Sequence, residues 1–414
     1  MLTLRPYQLS LAAQGLAILR RAGLVYIAAE PRIGKTHIAL EIARQYGAQK
    51  VLVLTKKIAR ASIEADYKAA EHYKNYTIFV TNMEQLGKFH GSWDLIIIDE
   101  AHQLKAYPLA SLRTKYLMAH VKDTPVIFLS GTPSPEGYSG MYHQLAISSH
   151  SPWSHYKNFY HWARDYVLVR QVRRGLYTIN DYSDAKSEKI KADIAPFMLS
   201  FSQAEAGFKC KVAEHFHEVD IPLIPILIKK MFRERVLRLP AMNGSHEITR
   251  IADTPAALMN CLHQLSGCSL ICDTETRILS LAKAEYIRDT FAGRIAVYYK
   301  YIAEKEILKM IFPTSTEIPE EFQEGKCSVF ISQIQSGREG IALCKADALV
   351  FYSIDYAAVS YLQTIARIQD LTRETTADIH WIFVKGGIEK TIYSCVTNKL
   401  NFTYSFFRKQ GAIC

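Results

Sequence analysis

The chain reads as an α/β protein built from two tandem open lobes, each with a parallel sheet. Three observations predict this. Strand-like apolar runs alternate with helix-like stretches along most of the 414 residues, the pattern of parallel sheets covered by helices. The run Ala29-Glu30-Pro31-Arg32-Ile33-Gly34-Lys35-Thr36 separates one such strand from a helix. The carboxylates Asp99 and Glu100 directly follow the apolar run Leu95-Ile96-Ile97-Ile98.

The elements follow in order. Val25 to Ala28 reads as a strand and Thr36 to Ala43 as a helix. Strands are then expected at Val51 to Leu54, Thr77 to Val80, Leu95 to Ile98 and Val126 to Leu129, with a helix over Ile58 to Tyr73. Later strands are expected at Ile295 to Tyr299, Val329 to Ile331, Ala348 to Tyr352 and Ile379 to Val384. Helical patterns over Leu279 to Phe291 and Glu304 to Ile311 separate them. In open parallel sheets, ligands bind at the carboxyl ends of strands. The Gly34-Lys35-Thr36 run and the Asp99-Glu100 pair both occupy such ends.

The first run has the spacing of a loop that cradles phosphate. Gly34 lets backbone N–H groups approach phosphate oxygens, Lys35 suits the β- and γ-phosphates, and the Thr36 hydroxyl suits magnesium. Pro31, Arg32, Ile33 and His37 complete the expected nucleotide contacts. Ala29 stands where a first glycine is usual. Asp99 is expected to hold magnesium and Glu100 to orient the attacking water. Together they imply magnesium-dependent hydrolysis of a nucleoside triphosphate.

Composition is that of a large globular enzyme, with 49% hydrophobic and 22% charged residues. The net charge of +10 makes an acidic polymer a plausible partner. Membrane-span classes are excluded by apolar run length: a span needs about 20 residues. Ile221 to Ile228 carries Pro222 and Pro225 and runs into Lys229 and Lys230. The eight cysteines are scattered, which suits a reducing cytoplasm. Cys261, His263, Cys268 and Cys272 are either buried structural groups or, at a spacing unlike the common pairs, a zinc site.

Several further motifs stand in a set order. They are Arg5-Pro6-Tyr7-Gln8, Thr55-Lys56-Lys57, Thr81-Asn82, Asp99-Glu100-Ala101-His102 and Ser130-Gly131-Thr132-Pro133. Val297 to Lys300, Ser336-Gly337 with Arg338 to Leu343, and Gln363 to Arg367 follow. In this order the chain resembles superfamily 2 helicases and translocases over nearly its whole length. It is most similar to Swi/Snf-type translocases and compact phage branch-migration helicases, with a DEAH-box second motif. The resemblance implies two RecA-like lobes, residues 1–148 and 209–414, with an accessory insertion at 149–208. It implies ATP and Mg²⁺ as cofactors, adenine recognition by Gln8 beside Arg5, and coupling through His102, Ser130 and Thr132. Gly340 is implied at the nucleotide, and Arg367 as the cation supplied to the γ-phosphate from the second lobe. Thr55, Lys56, Thr81, Asn82, Ser336 and Gly337 are implied as contacts to the nucleic-acid backbone.

One departure from that pattern bears on catalysis. The position three residues after Arg367 is Asp370, and a carboxylate cannot neutralise a phosphate. Either Arg367 serves alone or Arg373 takes part. Asp370 therefore keeps open a weakly hydrolysing, ATP-gated nucleic-acid clamp beside the motor.

The stretch from Ser149 to Phe208 interleaves aromatic and cationic residues. Val167 to Val172, a turn at Arg173-Arg174-Gly175, and Leu176 to Ile179 read as a β-hairpin. The hairpin either grips a forked or branched duplex through Arg173 and Arg174, or the aromatics simply pack the segment onto the first lobe. A helix is expected over Ile226 to Leu239. The whole predicts a cytoplasmic, monomeric ATP hydrolase of a bacterial or phage-infected cell. It would move along or unwind duplex, forked or branched DNA, with single-stranded DNA also possible, in replication, recombination or repair. An RNA helicase is the alternative at the level of substrate.

Overall fold

Two parallel sheets organise the chain, one in residues 1–207 and one in 208–414, which form separate units. The computed structural model describes residues 3–397 apart from 71–72, 74, 86–90, 135–136, 175–176, 242–243, 245, 338–342 and 372.

In the first unit, helix α1 (Pro6–Ala22) precedes strand β1 (Leu24–Ala29), and helix α2 (Lys35–Tyr46) follows it. Strands β2 (Lys50–Thr55), β3 (Thr77–Asn82), β4 (Leu95–Ile98) and β5 (Val126–Ser130) come next. Strands β6 (Arg170–Arg174) and β7 (Tyr177–Asp181) form an antiparallel ribbon, and β8 (Met198–Phe201) closes the unit. The sheet order is β3-β2-β4-β5-β1-β8, and every pair is parallel. Because β4 is central and covered on both faces, all four of its residues are apolar and buried.

Alternate residues of β1 supply two cores. Val25, Ile27 and Ala29 pack with Leu11, Leu19, Ile38 and Ile42 of α1 and α2. Leu24 and Tyr26 pack on the opposite face with Leu104, Leu117, Trp153, Phe159 and Trp162. The aromatics of 149–207 that alternated with cations in sequence are thus largely core. Trp153, Phe159, Trp162 and Tyr166 are buried, so they offer no faces to a ligand. The same segment supplies β8, which pairs with β1 from Tyr26↔Met198 to Ala29↔Phe201. This strand was not foreseen, because Met198 to Phe201 is short and weakly alternating.

The second unit opens with β9 (Val212–Val219), then a helix Leu223–Glu234. The expected helix over Ile226 to Leu239 stops early. Arg235 turns left-handed at φ 62°, and Val236–Pro240 is instead strand β10, paired antiparallel with β11 (Glu247–Ile251). Burial of Leu237 and Ile248 in the core rewards the hairpin over a longer helix. A short hairpin of β12 (Ser269–Ile271) and β13 (Thr276–Ile278) precedes β14 (Ile295–Tyr299), β15 (Val329–Gln333), β16 (Ala348–Phe351) and β17 (Ala377–Val384). The order β15-β14-β16-β17-β9 is parallel throughout. The predicted α/β class with two parallel sheets is therefore observed.

Strand β9 escaped detection because Glu214, His215, His217 and Glu218 interrupt its apolar pattern. They find partners across the edge. His217 lies 3.0 Å from His380 and 2.9 Å from the Tyr286 hydroxyl, and His215 lies 2.9 Å from Asp378. Trp381 and Tyr393 both donate to Glu214, at 2.8 and 2.7 Å. Deeper in, Lys283 and Glu389 form a fully buried ion pair, with Val384 N donating to Glu389 at 2.8 Å. Among the described residues, no helix is long and apolar enough to cross a membrane.

Candidate active site

The carboxyl ends of β1, β2, β4 and β5 bring the first unit's signature residues to one edge of its sheet. Register makes this unavoidable. Leu54 pairs with Ile98, Ile98 with Phe128, and Ala28 with Ser130. Asp99 therefore emerges between Thr55 on one side and the Ser130 strand on the other.

The loop after β1 is held in a concave form. Arg32 and Gly34 have positive φ values of 70° and 85°. Successive residues of this kind turn backbone N–H groups toward a common anion. Gly34 has no room for a side chain, since a Cβ there would stand 2.3 Å from Gln8 Nε2. The loop is braced from two directions. Gln8 Nε2 and the Tyr7 hydroxyl both donate to Ile33 O, at 3.0 and 3.1 Å, and Arg5 N donates to Gln8 Oε1 at 2.9 Å. From the other side, Gln203 Nε2 donates to Pro31 O at 3.0 Å and Gln203 N to Glu30 at 2.6 Å. The structure thus sets Gln8 against the loop backbone. Gln203 was missed because only the pairing of β8 with β1 brings it there. His37 lies beside the loop, 3.9 Å from Asp66.

Lys35 Nζ donates to Ala29 O at 2.9 Å and to Glu30 O at 3.1 Å. Burial holds its ammonium below the usual lysine range, opposed by the charges of Glu100, Asp99 and Glu30. Those charges register on Lys35 only because the phosphate-type loop and the acidic pair share one end of the sheet. Asp99 accepts from the Thr55 hydroxyl at 2.8 Å and from Glu100 N at 2.9 Å. Burial and then Glu100 push its carboxyl up to about 6. Glu100 moves the other way. Burial would raise it, but the His102 contact and the Lys35 and Lys56 charges hold it below the ordinary glutamate value.

Glu100 adopts a left-handed conformation at φ 49°, and its Oε2 lies 3.2 Å from His102 Nδ1. His102 Nδ1 is also 3.0 Å from Ser130 Oγ, which accepts from Thr132 N at 3.1 Å. The Thr132 hydroxyl is buried with no hydrogen-bond partner. Gln144 extends the chain of contacts, donating to Pro133 O at 2.8 Å and accepting from Tyr26 at 2.8 Å. Nothing in the sequence pattern marked Gln144.

The donor set fits a magnesium-bound nucleotide. Magnesium takes one or two protein oxygens plus phosphate oxygens rather than an all-protein cage. Thr36, at the start of α2, and the Asp99 carboxylate are such oxygens. No group of three or more metal-binding side chains occurs among the described residues. Burial pushes the Cys268 and Cys272 thiols up to about 12 and 11, as suits protonated core thiols.

Three residues expected at the nucleic-acid backbone use their side chains at the strand ends. Thr55 spends its hydroxyl on Asp99. Thr81 is fully buried, and Asn82, also buried, accepts from Gln85 N at 2.9 Å. Their side chains pack and cap the strand ends rather than face outward. Lys56 is half-buried and contributes to the Glu100 field.

In the second unit, Ser336 and Gly337 lie in the short helix Ile334–Gly337. Arg338 and Gly340 lie outside the described residues. Arg367 follows the helix Ala358–Ile365, and its carbonyl accepts from Leu343 N at 3.1 Å. Arg373, the other candidate, contacts backbone carbonyls of its own unit. Its guanidinium donates to Ala346 O at 2.8 Å, Thr376 O at 3.2 Å, Cys344 O at 3.3 Å and Asp347 O at 3.4 Å. These contacts come from the two terminal nitrogens alone, and Nε is buried with no hydrogen-bond partner among the described residues. Lys300 pairs with Asp355 at 2.6 Å and lies 4.5 Å over the Tyr356 ring. Although burial would raise the Asp355 carboxyl, Lys300 holds it low.

The β6–β7 ribbon is present, over Arg170–Arg174 and Tyr177–Asp181 rather than Val167 to Val172 and Leu176 to Ile179. Arg173 pairs with Thr178, and Arg174 with Tyr177. Arg173 and Arg174, expected in the turn, lie in β6, and Gly175 and Leu176 lie outside the described residues.

Comparison with known proteins agrees with this arrangement for part of the chain. Residues 41–216 match the family model of the SNF2-related domain, which supports a superfamily 2 helicase-type assignment for that segment. No curated protein sequence matches the chain. Among solved structures, the chain is similar to the Sulfolobus solfataricus SWI2/SNF2 ATPase core in complex with dsDNA. Identity there is 14%, coverage is 99% of this chain and 93% of that one, and the TM-score is 0.43. It is also similar to the Pyrococcus furiosus Hef helicase domain at 14% identity, with 94% and 97% covered and a TM-score of 0.49. Likenesses this distant do not bear on what the chain binds.

Proposed function

We propose that the chain is an ATP hydrolase that moves along DNA, with forked or branched duplexes as its substrates. The observation that carries the reading is the convergence of Lys35, Asp99 and Glu100 at one sheet end, with Glu100 joined to Ser130 and Thr132 through His102.

In this reading, Lys35 leaves the Ala29 and Glu30 carbonyls for the β- and γ-phosphates. Thr36 and Asp99 would hold magnesium, which would supply neutralisation of phosphate charge. Glu100, kept ionised by His102, orients the attacking water. Loss of the γ-phosphate changes the charge that Glu100 faces, and His102 passes that change to the Ser130–Thr132 segment, the kind of loop release other nucleotide switches use. Arg367 is the cation proposed from the second unit, with Arg373 as the alternative. The net charge of +10 and the SNF2-related match over 41–216 favour DNA as the track. Sequence-independent, salt-sensitive binding is expected of phosphate contacts. Roles in replication, recombination or repair, and a bacterial or phage setting, belong to the same proposal.

A second reading has one observation behind it. Asp370 stands at the usual finger position, and a clamp that hydrolyses ATP slowly is compatible with a carboxylate there. Turnover measured against single-stranded DNA, duplex, fork, four-way junction and RNA at fixed salt separates the two. Strong stimulation by forked or branched DNA supports the motor. Slow turnover alongside ATP-dependent retention of DNA supports the clamp, and preference for RNA contradicts the DNA assignment.

A further inference from the structure

The β6–β7 ribbon is an arm with a fixed base. At the base, Val167 pairs with Ala185, Leu168 N donates to Asp184 O at 2.8 Å, and Lys186 N donates to Tyr166 O at 2.8 Å. Tyr166 stacks on Trp162 at 5.0 Å in the aromatic core. Arg170 is neutralised there by Asp184. Beyond the base the chemistry changes. Residues 171–180 carry Arg173 and Arg174 and no carboxylate.

Cross-strand pairs share a face of a ribbon. Val172 and Ile179 form one pair, and Tyr177, two residues from Ile179, lies on the same face. These three are 40%, 40% and 76% exposed. The opposite face holds the pairs Gln171–Asn180 and Arg173–Thr178, all polar and exposed. A lone two-stranded ribbon is marginally stable in water, and apolar groups left open on it gain from a partner. Both faces are open, so the partner must offer flat apolar surface and negative charge together. Unpaired nucleic acid does so: bases stack on aromatic and aliphatic side chains, while phosphates meet arginine and amide groups.

We propose that this ribbon is a binding arm for unpaired bases at the edge of a DNA duplex. Tyr177, with Val172 and Ile179, takes the exposed base face, while Arg173 holds the adjoining phosphate. The inference rests on the DNA-motor reading and adds to it a recognition site for the junction of paired and unpaired strands.

The test measures binding of the full chain to a forked duplex and to a blunt duplex of equal paired length, at several salt concentrations. Tyr177→Ala is expected to weaken fork binding by about fivefold or more, with a much smaller change for blunt duplex. Tyr177→Phe, which keeps the ring, is expected to restore fork binding. Arg173→Ala should weaken binding and lower the salt slope by about one. Unchanged fork affinity in Tyr177→Ala, or equal losses on fork and blunt duplex, would overturn the arm. ATP turnover stimulated by blunt duplex in the unaltered protein separates the two claims. If that stimulation is present while Tyr177→Ala binds forks normally, the arm alone fails. If neither DNA binds or stimulates, the motor reading fails with it.

Discussion

His102 Nδ1 lies 3.2 Å from a Glu100 carboxylate oxygen. The same nitrogen lies 3.0 Å from Ser130 Oγ, so one Nδ1–H can be shared between them. That tautomer suits an ionised Glu100, and the carboxyl is held below its ordinary value accordingly. One imidazole thus ties Glu100 to the end of β5.

His102→Ala should separate hydrolysis from its stimulation. Coupling between sites is typically worth about 5- to 150-fold. Basal turnover should change little beside a loss of about tenfold or more in DNA stimulation. Steady-state ATPase rates with and without DNA measure both. Equal losses in both rates would place His102 in the chemistry instead.

Glu100→Gln keeps the shape and removes the charge. General-base loss costs about 10²- to 10⁴-fold, so hydrolysis should fall within that range while ATP and DNA remain bound. Normal single-turnover rates in this variant would show that Glu100 does not position the water.

Arg367 and Arg373 should part company. Loss of a finger arginine costs about 10³- to 10⁵-fold in rate, and Arg367→Ala is expected in that range. Arg373→Ala should instead lose about 1.5–3 kcal/mol of stability, the scale for hydrogen bonds to a charged group. ATPase rates and denaturant melts of both variants decide the matter. A rate loss as large in Arg373→Ala as in Arg367→Ala would reverse the assignment.

Much of the site was legible in sequence, because phosphate chemistry demands particular residues at short spacing. Lys35, Thr36, Asp99 and Glu100 sit at strand ends that the apolar runs mark. What was illegible depends on contacts between distant segments. Gln203 reaches Pro31 only because β8 joins β1, and Gln144 reaches Tyr26 across 118 residues. The family resemblance implies Thr55, Thr81 and Asn82 as nucleic-acid contacts but says nothing of how their side chains pack. Here one binds Asp99, one is sealed in, and one caps a turn. Strand β9 was hidden because its polar residues are paired across the sheet edge rather than alternating with apolar ones.

The buried Lys283–Glu389 pair gives a stability prediction. Removing one partner from such a pair costs about 3–5 kcal/mol, whereas replacing both with apolar groups is often neutral. Lys283→Ala should show that loss in equilibrium unfolding, and the double change Lys283→Met with Glu389→Leu should recover most of it. A single variant as stable as the parent would contradict the pairing.

The histidine cluster predicts acid sensitivity. Burial, then His215 and His217, hold the His380 ring down to about 4 from an ordinary 6.5, against the opposing pull of Asp378. Burial and His215 also lower His217. Between pH 6.5 and about 4 the unfolded chain binds a proton at His380 that the folded one refuses. Stability therefore falls as pH drops through that window. His380→Gln should flatten the stability–pH slope there, as read from urea midpoints. An unchanged slope would show that the ring titrates normally.

The central claim is that Lys35 and the Asp99–Glu100 pair form a DNA-responsive ATPase. ATP turnover of the full chain at fixed salt, with and without double-stranded DNA and beside Lys35→Ala, tests it most directly. The account predicts turnover that rises with DNA and is abolished in a Lys35→Ala variant that remains folded. Turnover that persists in Lys35→Ala, or that is indifferent to DNA in the unaltered protein, would contradict it.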